Sequence, residues 1–376
     1  MYFDNSATTI KKPENFIKCF EEIYKSQKYG NPSRGGHKKS INSMLKILET
    51  KKSLAKITGA NPEDIVFLDN CTYGMNFVIK SLVNSNDHVI TSITEHNSVL
   101  RPLYQSGADL SFLDIDEKKE LEYEKLEDIK KKNTRFLIIN HASNVLANVN
   151  DLDRLHKFAK DNNLIMIVDI AQTAGNTEID ISKYDNSIFV FTGHKSLYGP
   201  TGIGGIIKNG DFDFKDVFSG GSGIKSFDKC HPNEFPTIFE IGTGNFISQI
   251  AFNESLKFIL ETGISNINKK VKSLTKSFYE GICDLENIKI YSKKPEGDFS
   301  PIVSFNISDI SSSDISNILD EEYDIQTRPG AHCAPLIHEK FNTQKQGMVR
   351  FSFSYFNTFE EIDEAIEIIR QLNNKI

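Results

Sequence analysis

The chain has 376 residues, with 44 Lys and Arg against 51 Asp and Glu, and so carries a formal net charge of −7. This length predicts two domains at roughly 100–200 residues each, with a single large domain as the alternative, and a hydrophobic fraction of 39% is typical of a globular protein. The acidic balance, without a local run of Lys and Arg, argues against a nucleic-acid partner. No apolar stretch reaches the ~18 residues of a membrane helix, so no membrane association is expected.

The cysteines are odd in number, scattered, and never spaced as CxxC. This usage argues against a disulfide framework and a structural zinc site, and the first residues do not resemble a secretory leader. We therefore predict a cytoplasmic protein without a metal site. The cysteines are Cys19, Cys71, Cys230, Cys283 and Cys333.

Between residues 55 and 210, short apolar runs alternate with helical patterns such as 75–82 and 152–159. The runs are rich in β-branched residues and mostly do not alternate with polar ones, which is typical of strands buried on both faces. This order predicts a mainly parallel sheet covered by helices. Segment 116–132 mixes charges of both signs and is predicted to be a solvated helix. The six predicted strands are 65–68, 88–90, 110–113, 136–139, 164–168 and 188–191.

The pattern changes near residue 250, where long helical patterns are followed by two strand-like runs and a last helix. Thr358 and Glu361 have the spacing of a capping box at the start of that helix. These features predict a smaller α+β domain. Its helices are predicted at 247–262 and 265–284, and its strands at 302–305 and 349–353.

Polar or ionisable groups directly follow five of the apolar runs. Ligands of open α/β sheets bind beyond the carboxyl ends of the strands, so these groups are expected to meet at one edge. A single polar strand end is ordinary, but their convergence predicts one pocket with an acid, a lysine, imidazoles and amides. The segments are 70–72, 95–97, 140–144, 169–172 and 192–195.

This set of groups is informative about the cofactor. Neither the GxGxxG of a dinucleotide site nor the GxxxxGK[ST] of a P-loop is present. Gly202–Gly205 lacks the third spaced glycine and is interpreted as tight packing after a turn. A lysine and a carboxylate at neighbouring strand ends fit pyridoxal 5'-phosphate, whose aldehyde bonds a lysine and whose pyridinium nitrogen needs an acidic partner.

Segments 168–172 and 191–195 resemble the core of class-V aminotransferases, the family that includes cysteine desulfurases. The resemblance implies an α/β pyridoxal-phosphate-dependent transferase of fold type I, with a mainly parallel large domain and a smaller α+β domain. On this basis residues 14–255 are assigned to the large domain, and residues 1–13 with 256–376 to the small domain. Further matching segments are 2–9, 31–37, 95–100, 141–145, 239–243 and 328–334.

The resemblance also implies roles at the cofactor. Lys195 matches the lysine that bonds the cofactor and moves the substrate Cα proton, Asp169 the partner of the pyridinium nitrogen, and His96 the imidazole stacked on the ring. A surface lysine, a solvated strand-end Asp and a structural histidine are the alternatives. Gln172 and Asn144 match partners of the phenolic oxygen, with polar strand-end caps as the alternative. The phosphate is implied to contact Cys71, Thr72, Thr192, His194 and, from a neighbouring subunit, Thr243, for which turn or capping roles are the alternatives.

Cys333 stands in a loop rather than in an apolar pattern, whereas Cys71 and Cys283 fit simple packing. A metal site at Cys333 lacks a fourth ligand at useful spacing. The resemblance implies that Cys333 takes the sulfur of cysteine as a persulfide while alanine is released. Three nearby groups are expected to lower its pKa: His332, Arg328 and His338.

The substrate carboxylate has its own candidates. Arg350 matches the family residue that holds this group, a task that suits a guanidinium fork, and Arg328, Asn144 and His37 are placed beside the substrate. Surface ion pairing is the alternative for both arginines.

We therefore predict a cysteine desulfurase that acts as a homodimer and passes sulfur to an acceptor protein. The short segment between Cys333 and Arg350 resembles the branch that also acts on selenocysteine, so a selenocysteine lyase is one rival. Another class-V aminotransferase or lyase, and a non-catalytic scaffold for a sulfur carrier, are the others. Departures from the family pattern at Tyr73, Asn150 and Gly244 bear on the partner surface and substrate preference.

Overall fold

A seven-stranded sheet forms the centre of the computed structural model, which describes residues 1–33 and 35–375. Arg34, from one family-like segment, and Ile376 lie outside the described residues. The strands are β1 (Ile65–Leu68), β2 (His88–Ser92), β3 (Asp109–Leu113), β4 (Thr134–Asn140), β5 (Ile165–Asp169), β6 (Ser187–Thr192) and β7 (Gly204–Asn209). Their order is β1-β7-β6-β5-β4-β2-β3, and β7 alone runs antiparallel to the others.

The six strands predicted from apolar runs are confirmed, but β7 was not predicted. Its two glycines had suggested only a packed turn. A Cβ atom at Gly204 would lie 2.6 Å from the Asn70 backbone, and one at Gly205 would lie 2.2 Å from the Val66 carbonyl oxygen. The glycines therefore let an antiparallel strand lie against β1 and the turn that follows it.

Helices cover both faces of this sheet, and its central strand residues, such as Ile138, Ile167 and Phe189, are fully buried. Within the described part of the chain, no helix is long and apolar enough to cross a membrane. The helices are α1 (Glu14–Ser26), α2 (Lys38–Thr58), α3 (Cys71–Leu82), α4 (Asn97–Ser106), α5 (Leu126–Ile129), α6 (Leu152–Asp161) and α7 (Phe246–Thr262).

The solvated helix predicted over 116–132 is wrong. The chain instead reverses so that Ile115 bridges Leu121, then forms a 3-10 turn and the short α5. Leu121 and Leu126 are both buried and fix the segment to the core. The charges between them give no continuous apolar face, so packing at two points outweighs helix propensity.

A second, antiparallel sheet contains β8 (Ile288–Ile290), β9 (Ile302–Ile307) and β10 (Val349–Ser352), of which β8 was not predicted. The capping box is confirmed, because Thr358 Oγ1 accepts from the Glu361 N–H at 3.2 Å and Glu361 Oε2 accepts from the Thr358 N–H at 3.1 Å. The helices of this part are α8 (Ile264–Ile282), α9 (Ser312–Tyr323), α10 (Pro335–Phe341) and α11 (Phe359–Lys375).

The first residues of the chain pack with the second sheet. The Phe3 ring lies 5.3 Å from that of Phe351 and 5.7 Å from that of Phe353, and the Asp4 backbone bridges Ser352 at the end of β10. This contact brings the N-terminal segment to the small sheet. The assignment of 1–13 with 256–376 to one domain, and of 14–255 to the other, stays a prediction.

Candidate active site

The predicted strand ends meet at a cavity of about 760 Å³. A larger crevice of about 1340 Å³ lies elsewhere, and none of Lys195, Asp169 and Cys333 lines it. The predicted residues that line the smaller cavity are Lys195, Asp169, Gln172, Asn144, His96, Cys71, Thr72, Thr192, His194, Cys333, Arg328 and Arg350.

Asp169 ends β5 and is buried. Its Oδ1 accepts from the Ala171 N–H at 2.8 Å and from Cys71 Sγ at 3.4 Å, and its Oδ2 accepts from Ser98 Oγ at 3.5 Å. Burial raises the pKa of Cys71 well above its usual range, so this thiol is neutral and donates. These three donors fix the orientation of the Asp169 carboxyl group, which lines the cavity and offers an acceptor to a ligand there.

His96 caps the N-terminus of α4 and is fixed in one tautomer. Its Nδ1 accepts from the Ser98 N–H at 3.0 Å and lies 2.9 Å from Ser98 Oγ, so the ring hydrogen is on Nε2. Burial, reinforced by the charge of Lys195, lowers the pKa of His96 to about 4. The imidazole is therefore neutral at physiological pH. Ser98 lies in one of the family-like segments, but its contacts with both His96 and Asp169 were not predicted from the sequence.

Lys195 follows β6 and is partly buried at the cavity. Burial lowers its pKa, while the negative charge of Asp169 acts in the opposite direction. Thr9 Oγ1 donates to the Lys195 carbonyl oxygen at 3.2 Å and anchors the backbone. A lysine with a lowered pKa supplies more free amine, which is the form that bonds an aldehyde or accepts a proton.

The N-terminus of α3 offers a place for an anion. Asn70 Oδ1 accepts from the Tyr73 N–H at 2.9 Å, whereas no acceptor among the described residues takes the N–H groups of Cys71 and Thr72. The Nδ1 atom of His194 is buried nearby and has no hydrogen-bond partner among the described residues. Free N–H groups at the start of a 12-residue helix, with an imidazole nearby, suit a phosphate.

Two amide side chains complete the cofactor candidates. Gln172 Nε2 donates to the Ser6 carbonyl at 3.3 Å, and Asn144 Nδ2 donates to the His332 carbonyl at 2.7 Å. The buried Asn144 Oδ1 has no partner among residues 1–33 and 35–375. Together with Asp169 and the α3 N-terminus, this donor and acceptor set fits pyridoxal 5'-phosphate.

Cys333 is exposed at the cavity mouth, on a loop with unusual backbone geometry. His332 and Cys333 both adopt left-handed conformations, with φ of 50° and 56°. Each such non-glycine residue costs on the order of 1 kcal/mol or more, and such strain clusters at functional sites. The loop is held by Asn144 on the His332 carbonyl and by the Asn97 N–H, which donates to the Cys333 carbonyl at 2.8 Å.

The expected electrostatic help from neighbouring histidines is wrong. His332 is buried, its Nε2 donates to the Met348 carbonyl at 3.0 Å, and burial lowers its pKa well below the usual range. Burial also lowers the pKa of His338. Both rings are therefore neutral and add no positive charge beside Cys333. Burial of Cys283 was expected as well, but this cysteine is exposed at the end of α8.

Arg350 is buried on β10 and has defined partners. Its Nη1 donates to the Asn144 carbonyl at 3.1 Å and its Nη2 to Asp4 Oδ1 at 3.0 Å. Its Nε is buried without a partner in the described residues, so donors remain for a ligand. Arg328 lies on the adjacent backbone segment and is about half exposed, with a side-chain exposure of 52%. Asp4, which sequence reasoning missed, contacts both arginines.

Two predicted residues lie outside the cavity of this chain. His37 is exposed and caps α2, with Nδ1 accepting from the Ser40 N–H at 3.2 Å. Thr243 is exposed and accepts from Asn31 Nδ2 at 3.4 Å. The structure therefore does not bring either of them to Lys195 within one chain.

The three departures from the family pattern have different surroundings. Tyr73 is 44% exposed at the cavity and its ring stacks on Phe218 at 6.0 Å. Asn150 is buried, and its Nδ2 donates to the Asn140 carbonyl at 2.7 Å, so the side chain is satisfied inside the fold. Gly244 is exposed next to Thr243.

The comparisons with known proteins agree with this geometry. The family model "Aminotransferase class-V" matches residues 1–365. The chain belongs to the class-V aminotransferase family. It is 31% identical to a probable cysteine desulfurase of Pyrococcus abyssi (strain GE5 / Orsay), over 99% of this chain and 94% of the relative. It is 30% identical to a cysteine desulfurase of Wigglesworthia glossinidia brevipalpis, over 98% of this chain and 91% of the relative.

A solved structure is also similar to this chain. It is the apo structure of a cysteine desulfurase from Thermococcus onnurineus NA1, with a TM-score of 0.92 and 31% identity, covering 100% of this chain and 95% of the other. The predicted fold class is confirmed: an α/β protein with a large, mainly parallel sheet, as in other members of the family.

Proposed function

We propose that this protein is a pyridoxal-phosphate-dependent cysteine desulfurase that converts L-cysteine to L-alanine and retains the sulfur on Cys333. The observation that carries the proposal is that Lys195, Asp169 and Cys333 line one cavity. A lysine and a buried carboxylate suit the cofactor, and a cysteine at the mouth suits sulfur transfer. The desulfurase names of the similar proteins support the same reaction.

The residues that would hold the cofactor divide by the group they suit. Asp169 would accept from the pyridinium N–H, and the neutral His96 ring would offer a flat face to the pyridine ring. When bound, pyridoxal phosphate withdraws electrons from the substrate Cα and so activates the bond to sulfur. The phosphate would bind Cys71, Thr72, Thr192 and His194, and the phenolic oxygen would bind Gln172 and Asn144.

Lys195 and Cys333 perform the proton and sulfur transfers of the proposed reaction. As a free amine, Lys195 Nζ accepts the Cα proton of the substrate. The thiolate of Cys333 bonds to the substrate sulfur while the substrate carbon–sulfur bond breaks. The electron pair of that bond, with a proton, gives the methyl group of alanine. Cysteine and a thiol thus become alanine and a persulfide, with no further oxidant or reductant.

Arg350 is proposed to bind the substrate carboxylate. Its guanidinium is buried beside the cavity. Among the described residues, the Nε–H of this group has no partner. Charge-assisted bonds from a fixed guanidinium orient a carboxylate well. Arg328, which is exposed at the same edge, adds a second positive charge.

A homodimer is the proposed assembly. Thr243 and His37 face solvent in the isolated chain, and α2 presents an exposed apolar stripe at helical spacing. A second copy of this chain would bury the stripe and bring Thr243 to the phosphate of its neighbour. The stripe consists of Ile41, Met44, Leu45 and Leu48, with exposures of 40% to 52%.

The exposed position of Cys333 supports transfer of sulfur to an acceptor protein, which must reach the persulfide. Selenocysteine is a second candidate substrate, because selenium leaves carbon more readily and depends less on an attacking thiolate. The cytoplasmic location stays a prediction.

Alanine formation from L-cysteine, with and without a thiol acceptor, tests the proposal. A desulfurase forms one alanine per enzyme without acceptor and many with it, because the persulfide must be discharged before the next turnover. Steady alanine formation without acceptor would favour a lyase. A keto acid product would indicate an aminotransferase, and no turnover with bound cofactor would indicate a scaffold. In the same assay, Cys333→Ser should form little alanine. Cys283→Ser is its matched control, because both cysteines are exposed.

A further inference from the structure

Two arginines lie side by side at one edge of the cavity. Arg350 on β10 and Arg328 on the neighbouring segment exchange backbone hydrogen bonds of 2.9 and 3.2 Å, and both side chains line the cavity. Two adjacent guanidinium groups would together attract a ligand with two negative charges.

One carboxylate, that of Asp4, contacts both groups. Its Oδ1 lies 3.0 Å from Arg350 Nη2, and its Oδ2 lies 3.6 Å from Arg328 Nη1. Asp4 is held in place because its backbone bridges Ser352, and Ser352 donates through its backbone N–H to the Phe3 carbonyl at 2.7 Å. The carboxylate is therefore a fixed part of the cavity rim.

Asp4 does not occupy all the donors of Arg350. The Nε–H has no partner within residues 1–33 and 35–375, and Nη1 bonds only the Asn144 carbonyl. The neighbouring His332 is neutral because burial lowers its pKa, so it adds no charge. Two arginines and one aspartate leave a net charge of +1 at this edge.

We propose that Asp4 is a specificity-determining residue that restricts this edge to a single substrate carboxylate. The inference rests on the proposed function of Arg350 as the carboxylate-binding residue. Asp4 offsets one of the two guanidinium charges. An amino acid with one carboxylate therefore balances the remaining charge of +1. A second carboxylate on the substrate meets the fixed charge of Asp4 and is rejected by repulsion.

The test uses the holoenzyme and unreactive ligands. Propionate and succinate are titrated as competitors of L-alanine, whose binding is followed by cofactor absorbance. In the wild type succinate should bind no more tightly than propionate. In Asp4→Asn the edge carries +2, and the preference for succinate over propionate should rise about tenfold.

A double variant separates charge balance from a structural effect. Asp4→Asn with Arg328→Gln returns the edge to +1, so the wild-type preference should return, although neither original side chain is restored. Asp4→Glu should also keep that preference. Asp363→Asn, which replaces an exposed acid on α11, is the control for a change of overall charge. It should change neither the dissociation constant of propionate nor that of succinate.

Arg328→Gln alone provides a second measurement if Asp4→Asn does not fold, since Arg328 is exposed. It leaves no net charge at the edge and should weaken propionate and succinate together. An unchanged preference in Asp4→Asn, a double variant that keeps the altered preference, or a wild type that binds neither ligand would overturn the proposal. Failure to convert cysteine, with the predicted ligand preferences intact, would refute only the proposed function.

Discussion

The backbone N–H of Asn97 donates to the carbonyl oxygen of Cys333 at 2.8 Å. Asn97 is the first residue of α4 and directly follows His96, so the cysteine loop is tied to the helix that presents the imidazole. The bond uses main-chain atoms only. A change of the Cys333 side chain therefore leaves the loop anchored, which makes substitutions at this residue a clean test of its chemistry.

Lys195 is expected to be the residue that bonds the cofactor. Borohydride reduction of the holoenzyme, followed by peptide mass spectrometry, should place the cofactor on the peptide that contains Lys195. Lys195→Ala should lose the absorbance of lysine-bound cofactor. Lys12→Ala, which replaces a neighbouring, partly buried lysine, should keep this absorbance. Label on any other lysine would contradict the site.

Asp169→Asn is expected to reduce turnover on the order of 100-fold or more, because the amide cannot stabilise a protonated ring nitrogen as a carboxylate does. Asp185→Asn, at an exposed carboxylate, is the control. Cofactor affinity and alanine formation should be measured for both. Full activity in Asp169→Asn would show that its carboxylate serves only the bonds to Ala171, Cys71 and Ser98.

Glu95 is expected to make stability depend on pH. It is fully buried, and burial raises its pKa from 4.5 to about 8. Between these values the unfolded chain releases this proton while the folded chain keeps it, so the free energy of unfolding falls as pH rises through the window. Below pH 4.5 the contribution of Glu95 is fully present, and above about pH 8 it is lost.

Glu95→Gln should remove this dependence. From pH 5.5 to 7.5 the wild type should lose about 3 kcal/mol relative to the variant, measured by denaturant unfolding at each pH. The difference in unfolding free energy between the wild type and Glu95→Gln isolates the effect of Glu95, since all other titrating groups are common to both proteins. Glu63→Gln, at an exposed glutamate, should follow the wild type. Parallel curves for Glu95→Gln and wild type would contradict the expectation.

The α2 stripe is expected to form the dimer contact. Light scattering should give a dimer for the wild type and a shift toward monomer for Leu48→Lys, because a buried unpaired charge is costly at an interface. Leu260→Lys, with the same 40% exposure on α7, should remain dimeric. An active wild-type monomer would refute the assembly.

The sequence was informative where burial dictates the pattern. Strands such as Thr134–Asn140 and Ile165–Asp169 are buried on both faces, so their continuous apolar runs marked both the sheet and the edge where Asn144 and Asp169 lie. The strand Gly204–Asn209 was missed because its glycines serve close backbone contacts rather than side-chain burial.

Contacts between distant segments were beyond local patterns. Asp4 reaches Arg350 across almost the whole chain, and Ser98 reaches Asp169 from the first turn of α4. No periodicity encodes such pairs. The neutral state of His332 was likewise missed, since it follows from three-dimensional burial rather than from spacing.

Single-turnover alanine formation by Cys333→Ser tests the proposed role of Cys333 most directly. The variant should fold, bind cofactor and bind cysteine as the wild type does, because the cofactor groups and the Asn97 bond are unchanged. It should form little alanine, since a serine hydroxyl is a far weaker nucleophile toward sulfur than a thiolate. The wild type and Cys283→Ser should each form one alanine and gain the mass of one sulfur atom on the Cys333 peptide. Alanine formation by Cys333→Ser at the wild-type rate would show that Cys333 does not take the sulfur.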